Sequence, residues 1–229
     1  MSNKEANNAT ALPAAYKKPI SVEARRVLSL LAGRPVREND IKREARGRPF
    51  LPGLELDFSI AHTGALAAVS LARGGGRTGC DIERIRKRPG AREIAKHFFS
   101  VSERNYIFNQ DSFDETRFYG IWTLKECFLK LRGLSVFDMA AVPSFISDEG
   151  SQGEQLAFGA AVSSALSFRL YELSSGGAER YMLATVIEWA GTEPPQPEIR
   201  WFSQASLSCK IIAEIKAAPS PTETVSPKR

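Results

Sequence analysis

Residues 54–85 constrain the fold most. The run LELDFSIAH (54–62) alternates apolar and polar side chains, HTGA (62–65) turns, and LAAVSLA (66–72) alternates again. A second turn, GGGRTG (74–79), leads into CDIERI (80–85), a third strand. Strands grouped in this way, with helical segments set apart from them along the chain, argue for an α+β fold. The turn GGGRTG matches the dinucleotide pattern GxGxxG literally, but that chemistry requires a helix to open at the last glycine. A strand follows instead, so the segment is read as a hairpin loop.

Helical segments surround this block. SVEARRVLSLLAG (21–33) carries Val22, Val27, Leu30 and Leu31 at helical spacing, with Ser21 as N-cap and Gly33 as the stop. GRPFLPG (47–53) holds glycines and prolines that disfavour regular structure. GAREIAKHFF (90–99) is helical, SVSE (100–103) is a capping box with Glu103 as its acid, and a longer helix spans about 114–132. SALSFRLYEL (164–173) and ERYMLATVIEW (179–189) are strands. From Gly191 the chain is rich in proline and loses pattern. The predicted class is α+β, divided as a loose arm (1–20), an N-terminal half (21–110), a C-terminal half (111–190), an extension (191–215) and a disordered tail (216–229).

With 229 residues, 43% hydrophobic and 25% charged, the chain has the composition of an ordinary globular protein with a real core. The net charge of +5 suits an acidic partner or an anionic ligand. No basic stripe interleaved with aromatics points to nucleic acid, and RIRKRPGAR (84–92) reads as a solvated loop. Cys80, Cys127 and Cys209 form no CxxC pair, and His62 and His97 are the two histidines, which disfavours a zinc site. Scattered thiols, no apolar leader and no membrane-length apolar run suggest a cytoplasmic protein.

The chemistry lies on two segments. Asp81 and Glu83 are i and i+2 on one strand and share a face, with Cys80 and Ile82 pointing inward. Adjacent carboxylates without histidine suit Mg²⁺ shared with a phosphate; the plain alternative is a polar strand face balanced by Arg84 and Arg86. In IWTLKECFLKL (121–131), Trp122, Glu126 and Lys130 fall within about 80° of one another, Lys125 flanks them, and Leu124, Phe128 and Leu131 face the other side. Glu126 and Lys130 alone form an ordinary surface pair. Together with Asp81 and Glu83, Glu126 becomes a third oxygen ligand, and Lys125 and Lys130 become partners of phosphate oxygens. Arg48, between Gly47 and Pro49, is free to reach a phosphate or is a surface loop arginine, and His62 ends a strand.

The ordered set GRPFL, FSIAHT, GCDIE, FFSVSE and WTLKECFLK, across residues 22–190, resembles the 4′-phosphopantetheinyl transferases of the Sfp type. The resemblance implies two pseudo-symmetric α+β halves, each with a helix packed on a small antiparallel sheet, and coenzyme A in the cleft between them. It implies transfer of 4′-phosphopantetheine from coenzyme A to a serine of an acidic apo carrier protein, with release of 3′,5′-ADP. Asp81, Glu83 and Glu126 match the Mg²⁺ ligands, Glu126 also the general base, and Lys130 the lysine that assists the leaving group. Lys125 matches a phosphate partner, and Gly47, Arg48, Pro49 and His62 match coenzyme A contacts. By the same analogy the protein is a monomer with no nucleic-acid or membrane partner. Arg48 replaces the usual lysine, and Ser59, Ala61 and Thr63 replace Asn, Ser and Ser; Ala61 thereby removes a hydroxyl expected to contact coenzyme A. Arg25 and Arg26 are candidate stand-ins for the family's N-terminal basic contacts. The competing reading is a non-catalytic module that binds coenzyme A or a carrier protein on the same fold.

Overall fold

The computed structural model describes residues 21–64, 66–109, 112–146, 156–157, 165–175, 179–189 and 207–217. The predicted arm and the tail beyond residue 217 lie outside these. The architecture is α+β, with helices packed against small antiparallel sheets. No helix among the described residues is long and apolar enough to cross a membrane.

Helix α1 (Val22–Ala32) begins and ends as predicted: the Ser21 hydroxyl accepts from Ala24 N at 3.2 Å, and Gly33 is left-handed at φ 71°. Its buried face differs. Ala24 and Leu28 are buried while Val22 and Leu30 are 66% and 52% exposed. The inward stripe therefore runs 24–28–32, and Leu28 and Ala32 pack in a cluster with Phe58, Val69 and Leu71. The segment predicted to be irregular forms a small hairpin, β1 (Lys42–Arg43) with β2 (Pro49–Phe50). Its loop closes through Glu44 N to Arg48 O and Gly47 N to Glu44 O, both 2.8 Å, and Gly47 supplies the required positive φ of 90°.

β3 (Leu56–Thr63) and β4 (Leu66–Arg73) pair antiparallel, Ser59 opposite Ser70. β5 (Arg77–Arg84) does not join their ladder. α2 (Ala91–Phe98), α3 (Val101–Ile107), the two-residue strands β6 (Phe108–Asn109) and β7 (Ser112–Phe113), and α4 (Glu115–Arg132) follow. β8 (Ala165–Ser175), β9 (Arg180–Trp189) and β10 (Leu207–Ala217) complete an antiparallel sheet of order β10–β8–β9–β5. β10 occupies a region in which the sequence shows no strand pattern; pairing with β8, not alternation, is what the backbone records.

β3 reaches β5 through side chains. Asp57 accepts from Thr78 N (2.7 Å), Ser59 from Cys80 N (3.1 Å) and Thr63 from Arg84 N (3.3 Å). The constant offset of 21 residues makes the two strands parallel neighbours. Ala61, at the same offset from Ile82, has no oxygen to offer and is buried with Cys80 and Ile82. The hydroxyl missing at position 61 is therefore missing from this seam.

α4 lies across β5 and β9 and is buried on almost every side. This corrects the amphipathic reading, since Trp122 is as buried as the predicted core face. Gly79 allows the approach: a Cβ there would stand 2.3 Å from Cys127 O and 3.1 Å from Leu131 N. β5 thus meets α4 backbone to backbone at the turn that carries Glu126 and Lys130.

Candidate active site

β5 alternates as expected. Cys80 and Ile82 enter the core, and Asp81 and Glu83 face α4, Asp81 buried and Glu83 partly so. Lys130, on α4, donates to Asp81 Oδ1 at 2.8 Å and to Ile60 O at 3.4 Å. Asp81 Oδ2 is buried without a hydrogen-bond partner among the described residues. Burial and the neighbouring Asp81 carboxylate raise the Glu83 pKa. The same causes, with Glu83 contributing, push Glu126 up to about 7 against the opposing pull of Lys130 and Arg88. Burial lowers the Lys130 pKa, but Asp81, Cys80 and Glu126 more than offset it, so the ammonium ion is held above its usual range.

This pocket of negative charge has more carboxylate than cation. Arg88, stacked on the Trp122 ring at 5.4 Å, flanks it from the loop after β5; the sequence reading of 84–92 as a plain solvated loop missed that role. The donor set is all oxygen, one buried carboxylate oxygen is unpartnered, and the carboxylates oppose one another's ionisation. Those features fit a divalent cation of the magnesium kind. Among the described residues no three His, Cys, Asp or Glu side chains are spaced as a closed ligand group, so the fit is one of donor chemistry and charge.

Beside it lies a cleft of 290 Å³ lined by Arg43, Arg46, Gly47, Arg48, Pro49, Ser59, His62 and Lys130, with Ser21, Ile60, Gly133 and Leu134 completing the wall. Every charged group in this lining is cationic, and Lys130 belongs to both cleft and carboxylates. Gly47, Arg48, Pro49, His62 and Lys130, which the resemblance matched to coenzyme A contacts and the leaving group, thus share one surface. Arg43 and Arg46 were missed; the signal was the density of basic residues in KREARGRP. Arg25 and Arg26 do not line the cleft, and Arg25 is paired with Glu38.

Arg48 is no surface arginine. It is 5% exposed, and Nη1 donates to Lys130 O (2.6 Å) while Nη2 donates to Thr78 O (2.9 Å) and pairs with Asp57. One guanidinium so ties the β1–β2 loop to β3, β5 and the end of α4. Lys125 is the clear correction. It is 1% exposed and turned away from Glu126, with Nζ 3.2 Å from Glu103 Oε2 and donating to Val142 O (3.0 Å) and Pro143 O (3.4 Å). Successive residues on a helix point about 100° apart, so Lys125 and Glu126 cannot serve the same site on so enclosed a helix.

Residues 77–186, which contain Asp81, Glu83, Glu126 and Lys130, match the family model of the 4′-phosphopantetheinyl transferase superfamily, as the motifs suggested. The 4′-phosphopantetheinyl transferase AcpT of Salmonella typhimurium strain LT2 is 36% identical over 101 residues, 43% of this chain and 52% of the relative. AcpT of Escherichia coli K12 is 37% identical over 102 residues, 43% of this chain and 51% of the relative. The 4′-phosphopantetheinyl transferase Sfp of Bacillus subtilis strain 168 is 37% identical over 89 residues, 38% of each. The chain spans about half or less of the length of these curated relatives.

Proposed function

We propose that the protein transfers 4′-phosphopantetheine from coenzyme A to a serine hydroxyl of an acidic apo carrier protein, releasing 3′,5′-ADP. One observation carries this reading: Lys130 joins an excess of carboxylates to a cleft whose charged lining is wholly cationic. A diphosphate needs that pairing of signs, cations for its own oxygens and carboxylates beside it to hold a metal.

Asp81, Glu83 and Glu126 would hold Mg²⁺, which when bound neutralises the charge that develops on the diphosphate oxygens. Arg43, Arg46 and His62 line the cleft and attract the anionic end of coenzyme A, while Arg48 fixes the cleft wall. The serine oxygen attacks the β-phosphorus, and the bond from that phosphorus to the bridging oxygen of the 3′,5′-ADP group breaks. Glu126 would accept the serine proton, directly or through water. Lys130, kept protonated by Asp81, meets the charge on the departing oxygen. The net charge of +5 steers an acidic carrier toward the site.

Incubation with apo carrier proteins, coenzyme A and Mg²⁺ should add the mass of one phosphopantetheine per carrier and should stop with chelator. Bound coenzyme A with no mass gain on any carrier of a panel would instead support a binding module.

A further inference from the structure

α4 is enclosed to an unusual degree. Every residue from Phe118 to Lys125 is buried, as are Cys127, Leu129 and Leu131. With apolar side chains around its whole circumference, hydrophobicity gives the helix no preferred face. Its rotation nevertheless decides whether Glu126 and Lys130 face β5.

We infer that the buried Glu103–Lys125 pair is a positioning device: it holds α4 in the rotation that aims the next residue, Glu126, at Asp81 and Glu83. Both side chains are essentially excluded from solvent, at 0% and 1% exposure. Glu103 is fixed from two directions, accepting from Ser100 N at 2.8 Å and from Phe145 N at 2.9 Å. The Lys125 ammonium meets Glu103, Val142 O and Pro143 O, which accounts for all three of its hydrogens, and stands 5.7 Å over the Phe99 ring. The pair therefore anchors α4 to the start of α3 and to the 142–145 segment, neither of which lines the cleft.

Stability does not explain such a pair, because burying two charges gains little or nothing over apolar side chains of similar volume. Geometry does. Only one rotation of α4 brings a lysine at 125 against a carboxylate anchored at both oxygens, whereas leucines and phenylalanines accept several. The role assigned to Glu126 rests on the proposed function; the rotation of α4 does not.

The test removes both charges at once with Glu103→Gln/Lys125→Met, so that no lone charge stays buried. The double variant should fold with a Tm close to the parent's and bind coenzyme A within about twofold of it. Mn²⁺ affinity, read by electron paramagnetic resonance in place of Mg²⁺, and kcat should each fall by about tenfold or more, as outer-layer changes at metal sites do. The KM for coenzyme A should hold. A crystal structure of the variant should show Glu126 displaced from Asp81. A lower Tm with kcat and Mn²⁺ affinity intact would make the pair a stability element and overturn the inference. So would weakened coenzyme A binding in Lys125→Met with kcat unchanged, the mark of a phosphate contact. If the parent shows neither transfer nor Mn²⁺ binding, the proposed function fails, and the crystallographic position of Glu126 still decides the inference: an unmoved helix sinks it.

Discussion

Lys125 and Glu126 are consecutive on α4, and their charges meet opposite conditions. Lys125 is sealed among acceptors that match its hydrogens, with Glu103 as counter-charge. Glu126 faces Asp81 and Glu83 with Lys130 and Arg88 as the opposing cations, and its pKa is driven to about 7. The first arrangement is complete by itself. The second leaves carboxylate charge and a buried Asp81 oxygen for something else to satisfy. Completeness separates a buried charge satisfied within the fold from one left open to a ligand, and the difference lies between adjacent residues.

The largest expected effect comes from the unbalanced side. Glu126→Gln should lower transfer by about 10²–10⁴-fold, the range for loss of a general base, with coenzyme A binding retained. It should also reverse sign in stability. A carboxylate whose folded pKa is raised holds its proton in the native state while the unfolded chain has lost it. Its stabilising contribution is therefore present at low pH and is lost as pH rises from about 4.5 to about 7. Without added metal, Glu126→Gln should be more stable than the parent above pH 7, by on the order of 2–3 kcal/mol, and no more stable at pH 4. Thermal unfolding at both pH values checks this; a variant less stable at pH 8 would show that Glu126 is satisfied as it stands.

Next is the seat that brings the two sides together. Gly79→Ala puts a Cβ 2.3 Å from Cys127 O, a backbone atom that cannot swing aside. α4 must lift from β5, at a cost of about 1–3 kcal/mol for overpacking, and the carboxylates separate. Chemical denaturation should show that loss, together with weaker Mn²⁺ binding. If Mn²⁺ binding is untouched, α4 does not owe its position to this contact.

Arg48→Lys tests whether the cleft wall belongs with the complete arrangements. A lysine has the charge but not the fork that spans Lys130 O, Thr78 O and Asp57. The expected loss is about 1–3 kcal/mol of stability, with coenzyme A affinity reduced only through the distorted loop. Unchanged stability with a clear rise in coenzyme A Kd would make Arg48 a ligand contact instead.

The strand segments within residues 54–85, the caps at Ser21 and Ser100, and the shared face of Asp81 and Glu83 were legible because each depends on neighbours in sequence, whereas the pairing of β5 with the distant β9 was not. The role of Lys125 was not. Helical spacing places it beside Glu126 and five residues before Lys130 but says nothing about Glu103, which waits on a different helix. Arg48 shows the same limit: it lines the cleft, but its burial was not legible, since its acceptors lie 9, 30 and 82 residues away. α1 shows a third limit: Val22 and Leu30 are more apolar than Ala24, yet the small side chain is the one buried. Partners, rather than propensities, set these outcomes.

Ala61 offers the smallest and most discriminating change. The resemblance places a serine there and suggests a lost contact with coenzyme A, but Ala61 is 2% exposed and lies in the seam between β3 and β5. Asp57, Ser59 and Thr63 each accept from a β5 amide 21 residues on. Ala61→Ser extends that series toward Ile82 N with a single added oxygen. A new hydrogen bond contributes about 0.5–1.5 kcal/mol, and crowding among Cys80 and Ile82 opposes it, so a gain of up to about 1 kcal/mol is expected. Coenzyme A affinity should not move, because residue 61 is not among the residues that line the cationic cleft. An affinity gain without a stability gain would return the residue to the ligand and break the assignment of this seam to the complete, structural side of the molecule.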